Sequence, residues 1–262
     1  MKFRNPIFNI VLVLLVLAAG CARPPAPRPT EQFPPTPFDV NDLKARANFW
    51  HDYVAKFQLR VDSKTAKFNA RSIVLIKSPQ FVRFETFGPI GQTTALYVSN
   101  ETGLNLLIPS QKVVFTAAEP ETLIRYFLGV SLPFEVLRHA LTASLPSEQI
   151  DNLAVRSEKG ITHAFFKSAK SLFDWQFQPE GPALAGIYIR DEGFEGRISY
   201  DPPVAVSSNA VPKKIAISSS DWHMTITLDD LQPAQQFQPS AFYLPSLPDV
   251  RTVDLDRTNG PQ

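Results

Sequence analysis

Apolar and polar side chains alternate between residues 55 and 62, and this two-residue period predicts a β-strand with one buried face. Residues 222–229 alternate in the same way. Short apolar segments bounded by Gly, Pro, Asn and Asp predict further strands along most of the chain. The full set of predicted strands is 55–62, 67–78, 80–87, 92–99, 104–108, 112–117, 153–158, 162–168, 172–178, 185–190, 194–200, 214–219, 222–229 and a short last strand near 252–255. Their regular spacing predicts a meandering antiparallel sheet or barrel.

Three segments have a helical period instead. Apolar residues at helical spacing follow the candidate N-caps Asp39 and Asn41 and predict a helix that runs to about Tyr53. Two more helices are predicted at 120–128 and 133–141, each with a proline in its first turn. Helices inserted midway along a long sheet can cover one of its faces or close one of its openings.

The first twenty residues have the pattern of a targeting segment. Lys2 and Arg4 precede an unbroken apolar run over residues 10–19, which is shorter than the roughly 20 residues that span a bilayer. The run ends in small residues directly before Cys21, the single cysteine of the chain, and this junction resembles the processing site of bacterial lipoproteins. The resemblance implies a signal peptide over 1–20 and acylation of Cys21. Ala22 does not match the inner-membrane retention signal of that family, which implies the outer membrane. The alternatives are a secretory signal with a chance cysteine at its end, or a buried free thiol.

A proline-rich segment follows, with seven prolines between Pro24 and Pro37. Such a segment is extended, so residues 21–38 are predicted to be a tether that could hold a domain up to about 50 Å from the bilayer. A folded domain is predicted over 39–248. Residues 249–262 are predicted to form a last strand and a frayed tail.

Composition limits the function. The chain has 262 residues, 44% of them hydrophobic and 19% charged, with 26 Lys and Arg against 25 Asp and Glu. That balance is typical of a globular domain and argues against nucleic acid as a partner. One cysteine cannot form an internal disulfide or a cysteine-based metal site.

No pattern in the sequence predicts an active site. The four histidines are far apart and lack metal-ligand spacing or a neighbouring nucleophile, and His139 and His223 are expected to face solvent or to cap elements. No nucleophile elbow, phosphate-binding loop or dinucleotide fingerprint is present. We therefore predict a protein that is not an enzyme and that uses neither a metal nor a cofactor.

Aromatic residues are spread over nearly every predicted strand. Strand 80–87 is apolar on both faces, with Phe81 and Phe87 on one and Val82 and Phe84 on the other. Both faces of such a sheet must be buried against other parts of the protein or against a ligand. Either helices or a second sheet bury everything, or a curved sheet keeps an apolar chamber that could hold an acyl chain. Alternation alone leaves both possibilities open.

The segment Gly88-Pro89-Ile90-Gly91 predicts a tight turn with an apolar tip. Pro89 fixes its own φ and Gly91 tolerates positive φ, so the residue between them is thrust outward. A large apolar residue at a tip gives up about 2 kcal/mol of burial unless something apolar meets it. The alternative is a tip that folds back onto the protein.

Taken together, these features resemble the LolA/LolB family of lipoprotein carriers and receptors. The resemblance rests on the lipoprotein junction, the spacer, the first helix, the strand segment Lys56-Phe57-Gln58-Leu59-Arg60-Val61, the segment 78–85 and the turn Gly88-Pro89-Ile90-Gly91. It covers most of residues 40–230 as a pattern. It implies a mainly β fold: an incomplete, half-open antiparallel β-barrel of about eleven strands, capped by an N-terminal helix and two central helices, around a hydrophobic cavity.

The resemblance also implies a function and its partners. The chain would be a lipid-anchored outer-membrane lipoprotein that faces the periplasm, accepts the acyl chains of lipoproteins from a periplasmic carrier of LolA type and helps to insert them. The membrane-contact loop would be Pro89, Ile90 and Gly91, and we expect a monomer. Residues assigned to the cavity wall from strand and helix positions are Phe57, Leu59, Phe84, Leu96, Phe115, Phe127, Leu137, Phe165 and Trp175.

Two other functions fit the same sequence. One is an envelope-assembly or scaffolding lipoprotein whose cavity is filled by its own side chains and whose partner is another protein. The other is a carrier of a different lipid or glycolipid. An exposed Ile90 and an open cavity favour the receptor, whereas a solid core favours the scaffold.

Overall fold

A computed structural model of the chain describes residues 39–258 apart from 65, 78–79, 146, 169–170, 179–182, 192 and 235. The predicted signal peptide, Cys21, the tether and residues 259–262 lie outside the described residues. In the described part, no helix is both long enough and apolar enough to cross a membrane.

The described residues contain five α-helices and fourteen strands. The helices are α1 (Val40–Phe49), α2 (Pro120–Leu128), α3 (Phe134–Thr142), α4 (Ser147–Ile150) and α5 (Leu255–Thr258). The strands are β1 (Asp52–Ser63), β2 (Lys67–Lys77), β3 (Phe81–Phe87), β4 (Thr93–Asn100), β5 (Gly103–Ile108), β6 (Val113–Ala117), β7 (Ala154–Glu158), β8 (Ile161–Lys167), β9 (Leu172–Phe177), β10 (Ala183–Asp191), β11 (Phe194–Ala205), β12 (Lys214–Ser218), β13 (Trp222–Pro233) and β14 (Arg251–Asp254). Short 3-10 helices lie at Pro109–Gln111 and Pro239–Phe242.

All fourteen strands belong to one sheet, in the order β14-β6-β5-β4-β3-β2-β1-β13-β12-β11-β10-β9-β8-β7. Every neighbouring pair is antiparallel except β14 and β6, which are parallel. The two ends of this order are β14 and β7, so the sheet is not closed. The structure confirms the predicted mainly β, half-open fold, with fourteen described strands where the resemblance implied about eleven.

One continuous core packs against the inner side of the sheet. It contains side chains from strands on both halves of the sheet together with α2 and α3, so the sheet curves around these two helices. The contacts are specific: Tyr97 of β4 stacks on Phe134 of α3 with ring centroids 6.2 Å apart, and Phe115 of β6 lies 4.3 Å from Tyr126 of α2. The central helices therefore cover the inner face of β4 to β6, as their position in the sequence suggested.

Helix α1 begins where the sequence predicted and ends earlier. The Asp39 side chain accepts a hydrogen bond from the Asn41 backbone N–H at 2.8 Å, which caps the helix. The prediction that the helix reaches Tyr53 is wrong, because α1 ends at Phe49 and Tyr53 is a buried residue of β1. Tyr53 continues the alternation of β1, and the strand pairs with β2 and β13 on its two sides.

A buried arginine joins three parts of the chain. Arg46 of α1 is only 2% exposed, and its guanidinium donates hydrogen bonds to the carbonyl oxygens of Thr142 and Ala143 at the end of α3. It also donates to the carbonyls of Ser208 and Ala210, in the connection between β11 and β12. Burial lowers the pKa of Arg46 to about 10, so the side chain remains charged at neutral pH.

The segment after β13 crosses the outer face of the sheet. Phe242 packs against Phe81 of β3, and its carbonyl accepts a hydrogen bond of 2.7 Å from the Asn100 side chain. Leu244 adds to a small outer cluster formed by Leu96, Val98 and Leu107. The chain then reaches the sheet edge as β14, so part of the β4–β5 outer face is covered by the protein's own C-terminal segment.

Candidate functional site

The turn between β3 and β4 presents one apolar side chain to solvent. Gly91 N–H donates to the Gly88 carbonyl at 2.9 Å, and Gly88 N–H donates to the Gln92 carbonyl at 2.8 Å. Gly91 has φ +82°, which only glycine adopts without strain. Ile90, held between Pro89 and Gly91, is 90% exposed. The turn is therefore hydrogen-bonded and does not fold back.

A surface hollow of about 630 Å³ adjoins this turn. Its wall includes Pro89 and Gly91 together with Phe68, Phe87 and the exposed cation Arg71. An apolar tip beside a cation suits the boundary between water and an anionic lipid surface.

Inside the curved sheet lies a separate cavity of about 410 Å³, which we call the inner cavity. Its volume is within the range of about 300–1,000 Å³ that is typical of small-molecule sites. The sheet side is mostly apolar and comes from β9, β10 and β11. The residues that line the cavity are Pro133, Glu135, Val136, Arg138, His139, Gln149, Ser171, Phe173, Trp175, Ile187, Ile189, Asp191 and Ile198.

The helix side of the inner cavity is polar. Glu135, Arg138 and His139 share one face of α3 because they are three and four residues apart. The Arg138 Nη2 atom lies 2.7 Å from Glu135 Oε2, and His139 Nε2 lies 3.6 Å from the same oxygen. Burial, and secondarily the charge of Arg138, lowers the pKa of His139 to about 3, so the ring is neutral at neutral pH.

Among the buried polar atoms of the cavity residues, the indole Nε1 of Trp175, the side-chain Oε1 of Gln149 and the Nε2 of His139 have no hydrogen-bond partner in the described part of the chain. An indole N–H can only donate and an amide oxygen can only accept, whereas the imidazole nitrogen does either according to its tautomer. The residues around the inner cavity thus combine apolar surface with buried polar atoms that lack a partner.

The residues assigned to a cavity wall from the sequence divide into four groups. Trp175 lines the inner cavity. Phe127 is half-buried against the core, in edge contact with Phe68. The members of the packed core that do not line the inner cavity are Phe57, Leu59, Phe84, Phe115 and Leu137.

Leu96 and Phe165 lie on the outer face instead. Leu96 belongs to the outer cluster with Val98, whereas its neighbour Tyr97 faces α3. Phe165 lies beneath the Arg156 guanidinium at 5.4 Å, while Ala164 is in the core. Neither Leu96 nor Phe165 therefore lines the inner face.

Sequence reasoning missed the polar side of the cavity. His139 was expected to face solvent or to cap an element, but its side chain is only 14% exposed and lies in the cavity wall. A signal was present, because Glu135, Arg138 and His139 form a polar stripe on a helix whose other positions, apart from Thr142, are apolar. Strands far away in sequence cover the Arg138 and His139 part of that stripe, and this cannot be read from the helix alone.

Another surface hollow, of about 890 Å³, is open and has a mixed polar and apolar lining. It is lined by Lys64, the 218–222 turn and the start of β11, and by no residue assigned to a site from the sequence. Among the described residues, no group of three or more His, Cys, Asp or Glu side chains is placed to hold a metal ion.

Fold and site together define a class of protein: an unclosed antiparallel sheet that curves around two helices, with an inner cavity and an exposed apolar turn. A DUF1329 family protein from Desulfovibrio piger has a similar fold, with a TM-score of 0.50 and 9% identity over 78% of this chain and 95% of that one. A putative outer membrane lipoprotein-sorting protein domain from Vibrio parahaemolyticus has a TM-score of 0.46 at 14% identity, over 78% and 94% of the two chains. A LolA superfamily protein from Nitrosomonas europaea has a TM-score of 0.45 at 11% identity, over 79% and 99%.

In sequence, the chain is similar to the outer-membrane lipoprotein LolB of Ralstonia nicotianae. The two are 31% identical over 147 residues, which are 54% of this chain and 64% of LolB. The match therefore spans a little less than two thirds of the relative. No family model matches the chain. The comparison confirms the resemblance to LolB that the sequence motifs indicated.

Proposed function

We propose that this protein is an outer-membrane lipoprotein that receives the acyl chains of other lipoproteins and passes them to the membrane. The observation that carries the proposal is Ile90, which is 90% exposed on a hydrogen-bonded turn. Moving an exposed apolar side chain from water into lipid lowers the free energy. On this turn the move requires no change in the fold.

Two further features support this function. The inner cavity offers an apolar wall of Phe173, Trp175 and three isoleucines, which suits hydrocarbon. The similarity to LolB over 147 residues supports a role in handling lipoproteins. Acylation of Cys21 and delivery by a soluble periplasmic carrier complete the proposal, since an anchored receptor needs a source of ligand.

The test is the substitution Ile90→Glu. We expect it to reduce transfer of an acylated lipoprotein to vesicles of outer-membrane lipid composition at least tenfold, because a carboxylate at the tip opposes insertion. The matched control is Ile161→Glu, which makes the same chemical change at another exposed isoleucine, in β8.

Both variants should keep the wild-type melting temperature, since neither side chain is part of the core. If Ile90→Glu delivered lipoprotein as fast as the wild type, the assignment of this turn to the membrane would be wrong. If Ile161→Glu lost as much activity as Ile90→Glu, the effect would be one of general surface charge and would also contradict the proposal.

A further inference from the structure

A cluster of basic residues lies beside the Ile90 turn, on the outer face of β1 and β2 and in the turn between these strands. Arg71 of β2 is the register partner of Phe87, the last residue of β3, and it lines the same hollow as Pro89 and Gly91. From Arg71, β2 continues beyond the end of β3 to the turn that joins it to β1. The basic residues along this stretch, which we call the basic rim, are Arg60, Lys64, Lys67 and Arg71, and all four are exposed.

Two carboxylates lie among these cations and offset half of their charge. Asp62 Oδ2 lies 3.1 Å from Arg60 Nη2, and Asp62 Oδ1 lies 3.7 Å from Lys67 Nζ. Asp221 Oδ1 lies 2.6 Å from Lys64 Nζ. Four cations against two carboxylates leave the basic rim with a surplus of two positive charges.

Arg71 is available to an external anion. Within the described part of the chain, its guanidinium forms neither an ion pair nor a hydrogen bond. Glu85, the acidic residue of β3, is 2.7 Å from Arg83 Nη2 and also accepts a hydrogen bond from the Thr93 hydroxyl, so its charge is already matched. The whole chain is nearly neutral, with 26 basic against 25 acidic residues, and the surplus at the basic rim is therefore local.

The hollow beside Arg71 brings this charge next to apolar surface. Phe68 and Phe87 line it together with the two neighbours of Ile90. A planar guanidinium suits phosphate, to which it can donate two parallel hydrogen bonds. Phosphate groups above a layer of hydrocarbon are the surface of a phospholipid bilayer. An acidic protein would offer carboxylates to the basic rim but no hydrocarbon layer to Ile90.

We propose that the basic rim docks on a bilayer that contains anionic phospholipid, with the Arg71 guanidinium donating to a lipid phosphate while Ile90 enters the hydrocarbon. This inference rests on the proposed function, because it names the lipid on which the Ile90 turn acts. A basic residue close to an anionic membrane strengthens binding about fivefold, so a surplus of two charges should favour anionic over neutral vesicles by at least about tenfold. The preference should shrink as salt is added, because these charges are exposed to solvent.

The test measures binding of the mature chain, residues 21–262 carrying Cys21→Ser, to two kinds of vesicle. One kind is phosphatidylcholine alone, and the other is phosphatidylcholine and phosphatidylglycerol in equal parts. This chain keeps every described residue and lacks both the acyl anchor and the predicted signal peptide, so these two segments cannot attach it to the vesicles. Flotation over a range of lipid concentrations gives the two affinities.

Substitutions at exposed positions assign the contacts. Arg71→Gln should weaken binding to the anionic vesicles about fivefold and leave binding to the neutral vesicles unchanged. Arg71→Lys keeps the charge and should keep most of the preference. The matched control is Arg156→Gln, which removes an exposed arginine from the sheet edge β7 and should bind both kinds of vesicle as the wild type does. Ile90→Glu should weaken binding to both kinds. All these side chains are exposed, so each variant should keep the wild-type melting temperature.

The outcomes separate this inference from the proposed function. Equal affinity of the wild type for both kinds of vesicle would overturn the inference and leave the surplus charge to another partner, such as an acidic protein. The membrane contact through Ile90 would still stand in that case if Ile90→Glu weakened binding. A loss in Arg156→Gln as large as that in Arg71→Gln would assign the preference to overall charge and would also overturn the inference. A loss in Arg71→Lys equal to that in Arg71→Gln would contradict recognition through charge. If Ile90→Glu bound as tightly as the wild type, or if the wild type bound neither kind of vesicle, the membrane contact itself would be refuted and the inference would fail with it.

Discussion

Arg46 provides a direct test of what holds the central helices in place. Its guanidinium makes five hydrogen bonds to four backbone carbonyls, with donor–acceptor distances of 2.6–3.0 Å. The residues it joins belong to α1, to the end of α3 and to the connection between β11 and β12. Substitution by Met keeps a long apolar stem and removes every one of these donors.

Two opposing effects set the change in the free energy of unfolding that Arg46→Met causes. Hydrogen bonds from a charged donor contribute about 1.5–3 kcal/mol each, whereas removing a buried charge recovers several kcal/mol of desolvation. Breaking such an arrangement from one side typically costs about 3–5 kcal/mol, because the partners stay buried without donors. We therefore expect Arg46→Met to lower the free energy of unfolding by about 3–5 kcal/mol. In a domain of this size that corresponds to a fall in Tm of about 10 °C.

The assay is thermal and urea denaturation of the full chain, followed by circular dichroism. Arg46→Lys should fall between wild type and Arg46→Met, because an ammonium keeps the charge but cannot reach four carbonyls at once. Arg60→Met is the surface control. The Arg60 side chain is 67% exposed and pairs with Asp62, so its loss should cost less than about 1 kcal/mol. If Arg46→Met were as stable as the wild type, the desolvation cost would cancel the hydrogen bonds and Arg46 would not stabilise the position of α3.

Two further predictions concern the core and the cavity wall. Phe57→Ala should cost about 3–5 kcal/mol, since Phe57 is 1% exposed and stacks on Phe84, whereas Phe165→Ala on the outer face should cost about 1 kcal/mol; equal losses in urea denaturation would contradict the assignment of faces. Burial lowers the pKa of His139 from its ordinary 6.5 to about 3, so between these values the unfolded state binds a proton that the folded state does not. Stability should therefore fall as pH falls through this window, by about 2 kcal/mol at pH 5, and His139→Gln should remove that part of the pH dependence; an unchanged slope in the variant would show that the ring is not buried as a neutral group.

The general architecture could be predicted because it is encoded locally. The alternation over residues 55–62 reappears as the alternating burial of β1, and the prolines at 120 and 133 mark the starts of α2 and α3. The prediction extended α1 too far because one helical period can continue for a turn into a strand. Only the pairing of Tyr53 with β2 and β13 shows that this residue belongs to a strand and not to the helix.

The assignment of faces failed where two adjacent positions are both apolar. In β4 four consecutive residues, from Ala95 to Val98, are buried, and no alternation shows which of them point inward. Leu96 is buried on the outer side because the segment around Leu244 covers it, and that segment lies nearly 150 residues away in sequence. Phe165 and Phe166 present the same ambiguity in β8, where only Phe166 packs against the core.

The helix side of the inner cavity is fixed more firmly by contacts with the rest of the protein than the strand side is. Helix α3 is fixed at its C-terminal end by Arg46, and at its start by the stacking of Phe134 on Tyr97. The opposite wall belongs to β9–β11, which continue through β8 to the sheet edge β7, where every residue is exposed. Edge strands with few buried contacts open at a lower free-energy cost than central elements. A ligand larger than the present cavity is therefore accommodated more easily by movement of the β7–β9 edge than by displacement of α3.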